Sequence, residues 1–235
     1  MERIDKIISD AKNITRAQAK TLIRQGRVSV NGSAVKDAGL KVDEGAAEII
    51  CDGKRVEYSR FVYIMLNKSK GVISASDGRG EKTVVDLLPD EMKRKNLFPA
   101  GRLDKDTTGF VLITDDGDFA HRILSPKKHI PKTYVAKLDK PVDEDIIKAF
   151  ETGVELGDET CLPATLKVTD EATNEVEVTI AQGMYHQIKR MFKKYGAEVL
   201  ELERIKMGNL PIDPALEYGE CRYLTKDELK MIEGQ

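Results

Sequence analysis

The chain has 235 residues, 40% hydrophobic and 33% charged, with a formal net charge of −2. That composition excludes a disordered or fibrous chain and leaves room for one large domain or two smaller ones with a real core. No apolar run reaches the roughly 18 residues of a membrane helix, and "MERIDKIISD" is charged at once where a secretory leader would be apolar, so a cytoplasmic protein with no membrane partner is expected.

Cys51, Cys161 and Cys221 are far apart and odd in number, which argues against a disulfide framework. The three His are dispersed, so no metal-ligand cluster is expected. Neither glycine-rich phosphate motif of nucleotide-binding folds is present. The expectation is a protein with no metal and no cofactor.

From the N-terminus, "RIDKIISDA" places Ile4, Ile7 and Ile8 at helical spacing. Thr15 is a candidate N-cap for a helix from Arg16 to Gln25, with Gly26 as its stop. "RVSVNGSAV" sets Asn-Gly between two alternating runs, a hairpin signal, and "AEIICDGKRV" reads as a further strand and turn. The net charge argues against nucleic acid, but its distribution does not. Arg16, Lys20 and Arg24 fall on one face of the second helix, Arg27 extends the stripe, and that helix carries no acid. Such a stripe is either a solvated face or a row of phosphate contacts. "RIDKIIS…ITRAQAKTLIRQGRVSVNG" resembles the S4-type RNA-binding domain over residues 1–57, and the resemblance implies that the basic helix, with Arg16, Lys20, Arg24 and Arg27, faces RNA.

A polar linker is expected at Glu57–Arg60, followed by a second domain over residues 61–235. "FVYIMLNKSKGVISAS" reads as strand, loop and strand, "TVVDLLP" as a short helix, and Leu97–Leu103 as a strand. "GFVLITDDGDFAHRILSP" reads as strand, turn and helix, and "KTYVAKL" as a strand. "DEDIIKAFETGVEL" is an amphipathic helix ended by Gly153, and "PATLKVTD" and "EVEVTIAQG" alternate as strands. "HQIKRMFKKYG" is a helix with Ile188, Met191, Phe192 and Tyr195 on one face; "EVLELERIKMGNL" is a strand and "TKDELKMI" a terminal helix. Strands dominate without strict alternation with helices, which predicts an α+β fold with a mostly antiparallel sheet.

One stretch needs more explanation than a turn. In "PAGRLDKDTTGFVLIT", Gly101 and Gly109 bracket Arg102, Asp104, Lys105 and Asp106, directly before an apolar strand. Asp in a turn ordinarily caps backbone N–H groups. A charged loop on a rigid sheet edge is also where catalytic groups sit.

"AGRLDKDTTGFVLITDDGDFAHRILSP" resembles the signature of pseudouridine synthases acting on ribosomal RNA. "KTYVAKL" and "EVEVTIAQGMYHQIKRMF" resemble that family's second and third motifs, in order, and the likeness runs over essentially the whole chain. "HQIKRMF" and "YGECRYLTKDEL" point to the S4-bearing branch that modifies small-subunit (16S) rRNA. Two positions depart: Phe110 replaces the usual leucine, and Gln182 a more usual acid. The resemblance implies an S4-like domain followed by a pseudouridine synthase catalytic domain with a mostly antiparallel mixed sheet, and isomerisation of uridine without metal or cofactor. It implies Asp104 as the catalytic carboxylate, Lys189 as its basic partner, and Tyr134 as the ring beside the flipped base. Arg102 either enters the vacated stack, binds phosphate or pairs with an acid, and Asp106 shapes the loop. His186 and Gln187 are RNA contacts or structural polar groups; Lys127, Lys128 and Lys132 are phosphate contacts or a solvated patch. The expected partner is rRNA, within a small-subunit assembly particle, and the expected state is a monomer. The competing readings are the same chemistry on 23S rRNA and a non-catalytic S4-type assembly factor.

Overall fold

A computed structural model describes residues 1–43, 46–125 and 128–234. It divides into two compact units, residues 1–62 with 94–96, and the remainder.

In the first unit β1 (Glu2–Arg3) leads into α1 (Ile4–Ala11) and α2 (Arg16–Arg24). Next come β2 (Val28–Val30), β3 (Ser33–Ala34), β4 (Lys41–Val42), β5 (Ile49–Cys51) and β6 (Lys54–Arg55). Strand β4 pairs with β1, and the other four form an antiparallel sheet in the order β3-β2-β5-β6. Ile4, Ile7 and Ile8 of α1 pack with Ala19 and Ile23 of α2, Val28 and Ile49 in one core. Each buried isoleucine contributes roughly 1.5–3 kcal/mol. Thr15 caps α2 in a reciprocal box: the Gln18 N–H donates to its hydroxyl at 3.2 Å, and its own N–H donates to Gln18 Oε1 at 2.8 Å. Asn31 and Gly32 both take positive φ, +49° and +78°, as a two-residue turn between twisted strands requires.

The second unit opens with β7 (Tyr63–Lys68), β8 (Phe98–Pro99), β9 (Thr108–Thr114) and α3 (Gly117–Leu124). It continues with β10 (Lys132–Leu138), α4 (Glu144–Thr152), β11 (Glu155–Leu156), β12 (Glu159–Thr160), β13 (Thr165–Asp170) and β14 (Glu175–Ile180). Helix α5 (Gln187–Lys194), β15 (Val199–Met207), β16 (Leu210–Pro211), β17 (Cys221–Tyr223) and α6 (Lys226–Glu233) complete it. Among the described residues, nine strands form one sheet in the order β13-β14-β10-β15-β9-β7-β17, with β16 on β15 and β8 on β9. Every pairing is antiparallel except β15 with β9. Strand β9 is buried along all seven residues, so it carries an unbroken apolar run instead of an alternating one. Met65, Phe110 and Leu112 pack there with Phe119 and Ile123 of α3 and Ile232 of α6.

Three predicted elements differ. "TVVDLLP" is a series of turns, because Asp86 and Thr83 bond each other through side chains and backbone, and seven residues cannot offset helix nucleation. Leu97–Leu103 pairs only at Phe98 and Pro99; Pro99 offers no N–H to extend the ladder, and Gly101 turns the chain at φ +98°. "GVISAS" is no strand beyond a single bridge at Ile73, because the Ser74 hydroxyl exchanges bonds with the Leu103 backbone, 3.0 Å each way. The last two bind the segments flanking the charged loop to that loop.

Candidate active site

The charged loop emerges from β9 where the sheet switches to its parallel pairing, with Gly109 opposite Arg204 of β15. Gly109 has φ +95°, and a Cβ there would lie 2.3 Å from the Arg204 carbonyl oxygen. Glycine is required at that contact. Lys68, wholly buried at the end of β7, donates to the carbonyl oxygens of Thr107 at 2.7 Å, Ser69 at 3.2 Å and Lys105 at 3.3 Å. Burial pushes its ammonium down to about 8, against the pull of Asp106 and Asp104. The loop therefore hangs from a buried cation and a serine bridge.

Helix α5 supplies the facing groups. Lys189 Nζ lies 3.3 Å from Asp104 Oδ2 and donates to both oxygens of Asp106, at 2.7 and 2.8 Å. Burial works against the Lys189 ammonium, but the two carboxylates hold it above the usual lysine range. Burial likewise opposes the Asp106 carboxylate, and the Lys189 bond outweighs it, so Asp106 lies below the usual range. His186 Nε2 is 3.4 Å from Asp104 Oδ1. The lysine thus spans both acids and bonds the more exposed Asp106 more tightly than the expected Asp104.

Asp104, Arg102, Lys132, Tyr134, His186 and Arg204 line one open cavity of about 1150 Å³. Tyr134 is buried on β10, paired with Val178 on one side and Arg204 on the other. Arg102 is exposed and has no ion pair among the described residues. Gln187 is buried; its amide accepts from the Met184 N–H at 3.1 Å and donates to Gln182 Oε1 at 3.4 Å. Gln182, one of the two departures, also accepts from the Leu162 N–H at 2.7 Å, a bond that an acid would make equally. Lys132 is half-buried and bonds the Ile130 carbonyl at 2.8 Å; burial first, and Arg204 second, push it down to about 8. Lys128 is exposed, and Lys127 lies outside the described residues.

Sequence reasoning passed over Lys68 and Arg204. Arg204 is 2% exposed; its Nε donates to the Phe110 carbonyl at 2.7 Å, Nη1 reaches Tyr134 Oη at 3.5 Å, and Nη2 has no partner among the described residues. The signal was present: Arg204 follows Leu202 by two residues, on the inward register of a strand.

The basic stripe belongs to the first unit. Arg16 donates to buried Asp5 at 2.9 and 3.0 Å, beside Arg3, and Arg27 pairs with Asp52. So Asp5, on α1, engages one cation of a face whose own helix has no acid. Lys20 and Arg24 have no ion pair among the described residues.

The RNA pseudouridylate synthase profile matches residues 62–194 and the S4 domain profile matches residues 2–47. The chain belongs to the RNA pseudouridylate synthase family. Its relatives in the family include an uncharacterized RNA pseudouridine synthase of Bacillus subtilis (strain 168), 43% identical over 98% of each chain. A ribosomal small subunit pseudouridine synthase A of Vibrio parahaemolyticus is 43% identical over 98% of this chain and 99% of its own, and that of Salmonella typhimurium 41% over the same shares. A crystal structure of a pseudouridylate synthase superposes with TM-score 0.69 at 38% identity, covering 99% of this chain and 100% of that one. This family member is α+β, an S4 domain followed by a synthase domain, and an enzyme of the isomerase class.

Proposed function

We propose that the protein converts one uridine of 16S ribosomal RNA to pseudouridine, with Asp104 as the catalytic carboxylate. The observation that carries this is Asp104 at the cavity wall, with Lys189 at 3.3 Å, His186 at 3.4 Å and Tyr134 lining the same space. The small-subunit substrate of full-length relatives above 40% identity supports the choice of RNA. Residues 1–57 serve as the RNA-binding domain, through Arg16, Lys20, Arg24 and Arg27, and residues 61–235 as the catalytic domain. The protein works in the cytoplasm as a monomer, on rRNA within a small-subunit assembly particle.

The target base leaves its stack to reach Asp104, at a cost of a few kcal/mol. The N1–C1′ bond breaks, the base turns, and C5 bonds to C1′; one proton leaves C5 and one arrives at N1, so no oxidant is needed. Breaking the glycosidic bond leaves positive character at C1′, which an ionised carboxylate meets as nucleophile, as counter-charge or as base for a sugar proton. Lys189, 3.3 Å away, supplies the opposite charge beside that carboxylate as RNA displaces water. The Tyr134 ring stacks on the base, and its hydroxyl is within the same wall to take the C5 proton. Arg102 fills the vacated stack or holds phosphate, His186 contacts RNA beside Asp104, and Gln187 keeps the contacting loop in shape.

The test is pseudouridine mapping on 16S rRNA, transcribed and bound to small-subunit proteins, by carbodiimide labelling and reverse transcription. One new stop with the wild type, absent with Asp104→Asn, is the expected result. A stop with both proteins overturns the role of Asp104, and a stop only when 23S rRNA is supplied overturns the substrate.

A further inference from the structure

Tyr185 is 76% exposed, yet it is not loosely placed. Its ring stacks on the His186 imidazole with centroids 3.8 Å apart and planes 17° from parallel. Both rings line the Asp104 cavity. The loop beneath them is braced by the Leu162–Gln182–Gln187–Met184 hydrogen bonds, and Arg190 Nη1 reaches the Tyr185 carbonyl at 3.4 Å. His186 sits at φ +47°, ψ +36°, the left-handed region that a non-glycine residue rarely adopts. It is the N-cap of α5 but does not cap with its side chain. The imidazole instead faces Asp104 and backs the tyrosine. A braced, strained loop therefore presents one bare aromatic face beside the catalytic carboxylate.

The cavity, about 1150 Å³, exceeds the roughly 300–1,000 Å³ that holds a drug-sized ligand. It has room for more than one nucleotide. Flipping the target uridine also deprives its neighbours of a stacking partner, and an aromatic side chain replaces such a partner with sequence-tolerant affinity.

We infer that Tyr185, backed by His186, is the stacking platform for an unpaired nucleobase flanking the target uridine. This rests on the RNA substrate proposed above. The platform recognises a π face, so it takes purines and pyrimidines alike and does not need the tyrosine hydroxyl.

The chain contains no tryptophan, so Tyr185→Trp introduces a single indole reporter. Its fluorescence is followed as unlabelled 16S rRNA transcript is added, while labelled transcript reports binding independently by anisotropy. Quenching that saturates with the anisotropy curve is expected. Tyr185→Ala is expected to weaken binding about 5- to 100-fold, and Tyr185→Phe to bind as the wild type. The salt dependence stays unchanged in all three, because stacking releases no counterions. Binding without quenching, or Tyr185→Ala binding as the wild type, overturns the platform while leaving the RNA substrate intact. If the wild type fails to bind labelled transcript both bare and bound to small-subunit proteins, the substrate proposal falls and the platform falls with it.

Discussion

At the scale of single residues, two acids two positions apart differ in what faces them. Asp104 borders the cavity and is shared by Lys189 and His186. The Asp106 side chain is 70% exposed and is held by Lys189 in a two-pronged bond. The lysine is therefore the group both acids share, and in the proposed mechanism the carboxylate at the cavity is the one that meets the base. Lys189→Met should lower the single-turnover rate by on the order of 10²-fold, because Asp104 then loses its nearest fixed cation as RNA desolvates it. Asp106→Asn should cost under about tenfold, since it removes one ligand of the lysine and nothing from the cavity wall. Tritium release from C5 of labelled uridine measures both. The opposite order would assign the chemistry to Asp106.

At the scale of elements, the site depends on how strands meet. The parallel contact of β9 with β15 has no room for a side chain at Gly109, where any Cβ meets the Arg204 backbone. Gly109→Ala should therefore destabilise the protein by at least about 2 kcal/mol, from positive φ and overlap together, read as a lower urea midpoint. In the first unit the pairing of α1 with α2 is partly ionic. Burial would raise the Asp5 pKa, and bonds from Arg3 and Arg16 outweigh it, bringing it to about 2. A folded pKa below the unfolded one means stability that is present above about pH 4 and lost as pH falls through about 2. Half-exposed arginines reduce the size, so this share is on the order of 1–2 kcal/mol. Asp5→Asn should lose it at pH 7, and the gap to wild type should close as pH falls toward 2, measured by denaturant unfolding across pH.

At the scale of the whole molecule, a net charge of −2 conceals a division of labour. Of the four basic residues on and beyond α2, two are already engaged by acids of their own unit, Arg16 by Asp5 and Arg27 by Asp52. Lys20 and Arg24 keep their charge available. If both meet phosphates, Lys20→Ala and Arg24→Ala should each flatten the plot of log affinity against log salt by about one, while Arg27→Ala changes it less. Binding of 16S rRNA transcript across a potassium chloride series decides this.

Much of this was legible from the chain alone, because local physics and motif order are written in the residues. Isoleucine spacing, the Thr15 cap, the Asn-Gly turn and the apolar run Gly109–Ile113 of β9 each follow from neighbours a few positions away. The three ordered motifs singled out Asp104, Tyr134 and Lys189, which the fold brings to one cavity. What those residues could not reveal is contact across long separations. That Asp5 on α1 answers Arg16, that Lys68 holds a loop some 37 to 39 positions away, and that Arg204 lies under Tyr134 depend on which strands become neighbours. The conformation of "GVISAS" was decided in the same way, by Ser74, which bonds the distant Leu103 backbone more favourably than the segment continues a ladder, whereas "TVVDLLP" turns on local bonds between Thr83 and Asp86. Periodicity identifies which face is apolar. Only the packed sheet determines which buried charge meets which partner, because burial makes an unpaired ion so costly that the partner's position becomes part of the fold.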